Sequence, residues 1–248
     1  LRSEAVPSIS VVLPAYNEQE ALPHTVAGFA AVLPDVVDEW EIVVADDGSV
    51  DGTPAVCEEL VREYAGRFRC VRLVPNQGYG AALAAGIAAA RCEWVLLSDS
   101  DGQFDPADLP SLVAHAGASP IVIGHRVTRA EGRRRQFTSG VFNMMARVLF
   151  GFRVRDIDCA FKLIDASMVK AVPLTCRRYL VNTEILHAFV RSGFQPVEVG
   201  VRHRARKGGE SKIGFRDVPR SLLEMFKLRV RLWRAPPVVL KARGRVAC

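Results

Sequence analysis

Short runs of β-branched and aliphatic residues alternate along the first half of the chain with longer Ala/Leu-rich segments. The runs ISVVL (9–13), EIVVA (41–45), CVRLV (70–74), WVLLS (94–98) and IVIG (121–124) are strand-length and nearly continuous in apolar character, as strands buried on both faces are. Helices are expected between them, at about 18–33, 54–65, 79–90 and 107–116. Strands alternating with helices predict βαβ units, hence an α/β fold with a mostly parallel sheet flanked by helices. Beyond residue 125 the pattern changes to an Arg-rich link, an apolar helix near 137–151, irregular pieces, a helix near 182–192, a strand near 196–201 and a basic amphipathic tail.

With 248 residues, 49% of them hydrophobic, the chain has enough apolar material for one large domain, with or without a smaller appendage. Its net charge of +6 suggests an anionic partner: nucleic acid, a phosphorylated small molecule or an anionic membrane surface. Cys57, Cys70, Cys92, Cys159, Cys176 and Cys248 are scattered without a CxxC pair, so neither a zinc site nor a disulfide framework is expected and a reducing cytoplasm is the default. The segment LRSEAVPSIS lacks the apolar core of a signal peptide. No run of roughly 20 apolar residues occurs, so the expectation is a protein that is not integral to the membrane by itself.

In open parallel sheets, ligands bind beyond the carboxyl ends of the strands. Three of the expected strands end there in polar segments, PAYNE (14–18), DDGSVDGT (46–53) and DSDGQ (99–103). Glu18, Asp46, Asp47, Asp99 and Asp101 would crowd one rim, a costly arrangement unless a ligand or cation offsets it. Asp46 and Asp47 could accept hydrogen bonds from a base and a ribose, while Thr53 and Pro54 read as the N-cap and first residue of a helix. Asp99 and Asp101, two apart in an extended segment, share a side, with Gln103 in register. Such a pair suits a hard cation, Mg2+ or Mn2+, that also holds a diphosphate. Asp105 and Pro106 read as another cap. The segment NQGYGAALAAGIAAAR (76–91) lacks the Lys-Ser/Thr of a phosphate-binding loop, so Gly78, Gly80 and Gly86 are expected to let a helix approach the sheet.

Taken in order, VVLPAYNEQEAL, VVADDGSVDGT, NQGYGAALAAGI, SDSDGQFDP, GHR, DCAFKL and RKGGESK resemble the family 2 inverting glycosyltransferases. The resemblance is strongest to the branch containing dolichol-phosphate mannose synthases and other polyprenyl-phosphate glycosyltransferases, and it runs from about residue 8 to 216. It implies a GT-A catalytic domain over residues 1–214, a nucleotide-sugar donor of GDP-mannose or UDP-hexose type, a Mg2+ or Mn2+ ion and a polyprenyl phosphate acceptor. By that resemblance Pro14, Ala15, Tyr16, Glu18, Asp46, Asp47 and Asp99 hold the nucleotide sugar, and Asp99, Asp101 and Gln103 organise the metal and diphosphate. Asp101 joins Arg126, Arg135, Ser139, Arg206 and Lys212 in the catalytic set, the latter five at phosphates of donor or acceptor. Guanidinium forks suit phosphate oxygens, and lysine adds a compact charge. HRARKGGESK (203–212) reads as a glycine-hinged basic loop over the donor, whereas Arg133, Arg134, Arg202 and Arg204 read as a solvated basic face.

The sequence departs from the family pattern in having DSDGQ for an alanine-containing form and GHR for a serine-containing one. Instead of the hydrophobic C-terminal helices that some relatives carry, residues 215–248 offer an amphipathic segment in which Leu222, Leu223, Phe226, Val230 and Trp233 alternate with Arg and Lys. This segment is expected either to lie on an anionic membrane surface or to pack on the catalytic domain. The expected location is cytoplasmic, peripheral on the inner face of the membrane. A nucleic-acid partner is disfavoured, since no recognition module appears and the acidic rim repels phosphates. A family 2 enzyme acting on a soluble hydroxyl acceptor is the alternative; it needs a base, for which Asp156 and Asp158 are the candidates.

Overall fold

The apolar runs build a seven-stranded sheet in order β3-β2-β1-β4-β6-β5-β7. The computed structural model describes residues 6–129, 133–204, 218–236 and 238–241, without the side chains of 128–129, 133–139, 141–142 and 218–222. Chain order is β1 (Ser8–Ala15), α1 (Leu22–Val36), β2 (Glu39–Asp46), α2 (Thr53–Glu63), β3 (Phe68–Arg72), α3 (Tyr79–Ala89) and β4 (Trp94–Leu97). A 3-10 turn (Pro106–Asp108) and α4 (Leu109–Val113) lead to β5 (Ile121–Arg129) and α5 (Arg133–Phe150). β6 (Lys162–Asp165), α6 (Ala166–Ala171), α7 (Val181–Arg191), β7 (Val197–His203) and α8 (Val218–Arg234) complete the described elements.

The expected parallel sheet is present, with one exception that the apolar pattern did not announce. β6 runs antiparallel between β4 and β5, where irregular pieces were expected. Its four residues, KLID, carry a charge at each end, so no apolar run marks it. Elsewhere the alternation of strand side chains is plain. Val11, Leu13, Ile42, Val44, Trp94 and Leu96 face the core that includes residues of α1, α2 and α4. Val12, Val43, Val95 and Leu97 face the opposite core, which includes residues of α3, α5, α6, α7 and α8.

The small residues of α3 divide their work. A Cβ on Gly86 would lie 2.5 Å from Val12 Cγ1, so this glycine does set how closely α3 approaches the sheet. Gly78 and Gly80 instead make room for backbone: a Cβ there would meet the carbonyl oxygens of Arg177 and Cys176, and Gly80 N–H donates to the Arg177 carbonyl at 2.8 Å. The α8 helix packs on the catalytic domain, one of the two expectations for the C-terminal segment. Met225 and Leu228 are buried in the core, while Leu223, Phe226 and Trp233 are 54%, 57% and 76% exposed.

Overpacking a β-branched neighbour in the sheet centre costs about 1–3 kcal/mol, more than the helix propensity an alanine adds. Gly86→Ala is therefore expected to lower the urea midpoint at unchanged m value. Gly140→Ala, in α5 with open space around it, is expected to raise the midpoint by up to about 1 kcal/mol equivalent.

Candidate active site

β2, β1 and β4 are neighbours in the sheet, which brings the segments after Ala15, Asp46 and Leu97 side by side. The first two are laced together. Asn17, in the left-handed region at φ 56°, donates its N–H to Ser49 Oγ at 2.9 Å and accepts Val50 N–H on Oδ1 at 3.0 Å. Glu18 N–H donates to Thr53 Oγ1 at 2.9 Å. Thr53 is thus drawn away from the capping role expected of it: the residue before the helix is Gly52, and Asp51 Oδ1 accepts Thr53 N–H at 3.0 Å. This lacing positions Pro14, Ala15, Tyr16 and Glu18, with Tyr16 and Glu18 half-buried at the rim.

Each acid of the rim has its own environment. Asp46 is fully buried, accepts Ser49 N–H at 2.9 Å and has Arg72 Nε 3.2 Å from its other oxygen, off the hydrogen-bonding line. Asp47 uses both oxygens on backbone, accepting Gln77 N–H at 2.7 Å and Gly78 N–H at 2.8 Å. Asp46 therefore braces the turn after β2 from within, and Asp47 ties the turn before α3 to the end of β2.

Beyond β4 the alternation continues. Ser98 and Ser100 are buried, with Ser100 Oγ donating to the Pro14 carbonyl at 2.8 Å, while Asp99 and Asp101 are half-buried. Burial and then the Asp101 charge push the Asp99 carboxyl up to about 7, against the pull of Lys162, the Tyr79 hydroxyl and Arg126. Tyr79 Oη lies 3.3 Å from Asp99 Oδ1, and its ring stacks on Tyr179 at 5.5 Å. Asp101 Oδ1 accepts Gln103 N–H at 3.1 Å, and Gln103 Nε2 donates to the Arg204 carbonyl at 3.1 Å. That bond fixes which end of the amide is oxygen. Among the described residues no three His, Cys, Asp or Glu side chains converge as a metal cage. Two carboxylates suffice for Mg2+ or Mn2+ when substrate phosphates complete the shell, and the mutual repulsion of Asp99 and Asp101 is what such a cation relieves.

On the other side of β4, Arg126 at the end of β5 grips Asp156 bidentately, Nε to Oδ2 at 2.7 Å and Nη2 to Oδ1 at 2.9 Å. Asp156 is 1% exposed. Lys162 is a residue that sequence reasoning passed over, since it opens the four-residue strand KLID, which has no period to read. It is fully buried, and its Nζ donates to the Cys159 carbonyl and, at 3.1 Å, to Asn182 Oδ1. Burial pulls its pKa down, opposed by several groups that include Asp158, Asp156 and Asp99. Glu184 was also missed; it holds the 175–176 backbone through Thr175 and Cys176 N–H at 2.9 and 3.0 Å. Arg202 and Arg204, expected as a solvated face, are exposed and also pair with Asp105 and Asp108, because β7 ends beside the buried Asp105. Arg135 and Ser139 lie in α5 with side chains outside the described residues, and Arg206 and Lys212 lie outside them altogether.

Residues 10–172 match Glycosyl transferase family 2. The chain belongs to this family. It is 30% identical over 230 residues to dodecaprenyl-phosphate galacturonate synthase of Rhizobium johnstonii, an overlap covering 89% of this chain and 66% of that protein. It is 31% identical over 212 residues to undecaprenyl-phosphate 4-deoxy-4-formamido-L-arabinose transferase of Pectobacterium carotovorum, covering 85% of this chain and 64% of that one. The chain thus spans about two thirds of the length of these curated relatives. Among solved structures, glucosyl-3-phosphoglycerate synthase from Mycobacterium tuberculosis, in complex with Mn2+, UDP and phosphoglyceric acid, superimposes with a TM-score of 0.70 at 22% identity, covering 90% of this chain and 78% of that one. The fold of this family 2 chain is accordingly the GT-A arrangement expected from its motifs.

A buried ammonium is expensive, but removing it strands the Cys159 carbonyl and Asn182 Oδ1 that it bonds, at a cost of about 1–3 kcal/mol. Lys162→Met is therefore expected to stay folded and to melt several degrees below wild type. Loss of the positive charge behind the acids should weaken nucleoside diphosphate binding about tenfold, or about 1.4 kcal/mol. Calorimetric titration alongside thermal melting checks both, and wild-type affinity in this variant would remove Lys162 from the site.

Proposed function

We propose that this protein transfers a sugar from a nucleotide-sugar donor, of GDP-mannose or UDP-hexose type, to a polyprenyl phosphate with inversion at the anomeric carbon. Residues 1–214 are the catalytic unit and residues 215–248 its membrane-facing appendage. The observation that carries the reading is the Arg126–Asp156 pair. A hydroxyl acceptor must lose its proton as it attacks, and so needs a positioned base. Asp156, one of two candidates for that base, is sealed from solvent and held by both arms of Arg126. A phosphate monoester has a second pKa of about 6 and arrives already anionic; it requires cations to position it. The names of the two relatives, both polyprenyl-phosphate sugar transferases, support the same acceptor class.

In this reading Tyr16, Glu18 and the Asp47-anchored turn hold the nucleotide, with Asp46 behind them. Asp99, Asp101 and Gln103 hold a Mg2+ or Mn2+ ion that, when bound, neutralises the leaving diphosphate. Arg126, Arg135, Ser139, Arg206 and Lys212 are assigned to phosphate groups of donor and acceptor. The charges of the four basic residues favour the anionic nucleophile approaching from the face opposite the diphosphate, with the Ser139 hydroxyl as a neutral donor. Among the described residues no helix is long and apolar enough to cross a membrane. The lipid acceptor is met instead at the surface, by the exposed Leu223, Phe226 and Trp233 of α8 and Met144 and Val148 of the adjoining α5, with Lys227, Arg231 and Arg234 among them for anionic headgroups. In this reading the protein works peripherally on the cytoplasmic face of the membrane.

The purified protein is expected to glycosylate a short polyprenyl phosphate and not the corresponding free prenol, with Arg135→Ala damaging acceptor use more than Asp158→Asn. Product analysis by mass spectrometry decides. Transfer to a soluble sugar hydroxyl with none to any prenyl phosphate, lost in Asp158→Asn, would sink the assignment. A second expectation concerns the surface. The double variant Phe226→Ser/Trp233→Ser should co-sediment less with vesicles containing anionic lipid while turning over a water-soluble prenyl phosphate as wild type does.

A further inference from the structure

Asp105, two residues beyond Gln103, is 6% exposed, and its two oxygens do different things. Oδ1 accepts Ala107 N–H at 3.1 Å and caps the 3-10 turn, as its position before Pro106 leads one to expect. Oδ2 faces two guanidinium groups, those of Arg204 and, at 3.2 Å, Arg202. Arg202 extends the contact to Asp108, with its backbone N–H on Oδ2 at 2.7 Å and its Nε on Oδ1 at 2.9 Å. The backbones are joined as well. Arg204 N–H donates to the Gln103 carbonyl at 2.8 Å, Gln103 Nε2 returns a bond to the Arg204 carbonyl, and Phe104 bridges His203 with their rings edge to face at 5.1 Å. Residues 103–108 are thereby fastened along residues 202–204.

A cap alone does not require a charge, since Asn or Ser serves equally. A buried carboxylate is costly without partners, so the double pairing of Asp105 needs both arginines. Those arginines have side chains 52% and 60% exposed, and pairs of that kind contribute little to global stability. What they fix is position. β7 is an edge strand whose one sheet neighbour is β5, and its exit end has the 103–105 segment on the open side.

We infer that Asp105 is a positioning residue of the donor site: through Arg202 and Arg204 it clamps the end of β7 to Gln103, and so sets the placement of the Asp99–Asp101 loop. The inference rests on the proposed reading of Asp101 and Gln103 as the cation and diphosphate end of the site. Asp105 touches neither cation nor donor, and its effect reaches them through the Gln103 amide held on the Arg204 carbonyl.

The test compares Asp105→Asn, which keeps the cap and the volume, with the double variant Arg202→Ala/Arg204→Ala, which alters exposed side chains only. Mn2+ binding in the presence of UDP or GDP is read from the resonance signal of free Mn2+, alongside Mn2+-dependent nucleotide release and thermal melting. Asp105→Asn should melt within a few degrees of wild type and the double arginine variant lower, because it leaves the buried Asp105 carboxylate unpaired; both should bind Mn2+ roughly 10-fold more weakly, the size typical of groups that orient metal ligands. Their combination should be no worse than either alone, as for members of one network. Wild-type Mn2+ affinity in both variants, or effects that simply add, would overturn the inference. Asp101→Ala in the same assays separates the two levels. Loss of Mn2+ binding there beside unaltered Asp105→Asn rejects only the positioning role, whereas full activity of Asp101→Ala rejects the donor-site reading beneath it.

Discussion

Carboxylates gathered at the ends of adjacent parallel strands must each find a compensating charge or donor, because burial and mutual repulsion both oppose their ionised forms. Much of the site follows from how each is answered. Asp46 has Ser49 N–H and Arg72, and Asp47 has two backbone N–H groups from the turn before α3. Those acids are compensated within the chain and act as structural joints. Asp99 has a tyrosine hydroxyl and more distant cations, with Asp101 pressing on it. The compensation there is weaker, and under the proposed function a cation supplies the rest.

The antiparallel β6 is central to the second half of the site. Lys162 pairs across the sheet with Leu97 of β4 and with Ile123 of β5, so the strand carrying it lies between the strand leading to Asp99 and the strand leading to Arg126. The turn entering β6 delivers Asp156 to Arg126, and the Lys162 ammonium holds the carbonyl of Cys159 in that turn. One short strand thus inserts a buried cation and a paired anion between the donor acids and the start of α5. Asn143 of α5 closes the arrangement by accepting Ile157 N–H at 3.0 Å.

The parallel core of the fold was legible because strands buried on both faces are apolar along their whole length, and β1, β2 and β4 declare themselves that way. The gathering of acids at one rim was legible for the converse reason: Asp46, Asp47, Asp99 and Asp101 interrupt those runs where a strand must stop. β6 and Lys162 were not, since a four-residue strand beginning with lysine has no apolar period to read. Nor could sequence separate a capping Thr53 from one that receives Glu18 N–H, because the partner lies 35 residues away. The pairing of Arg202 and Arg204 with Asp105 was hidden for the same reason, being a contact across 97 and 99 positions that leaves no local signal.

Under the proposed function the acceptor side obeys a constraint that the donor side does not. A lipid phosphate must keep its chain in an apolar medium while its head reaches a charged site, so the protein has to present both within one short distance. α5 follows β5, the strand that carries Arg126, and at about 1.5 Å per residue its 18 residues run some 27 Å. Its exposed Met144 and Val148 lie in the second half of that span, where α8 packs beside it and Arg229 Nε bonds the Leu149 carbonyl at 2.8 Å. Under the proposed function, the first turns of α5 serve the phosphate and the later turns, with α8, serve the lipid surface. An enzyme for a soluble hydroxyl acceptor would have no use for such a gradient along one helix. It would instead need an unencumbered base where this chain has Asp156 locked to Arg126.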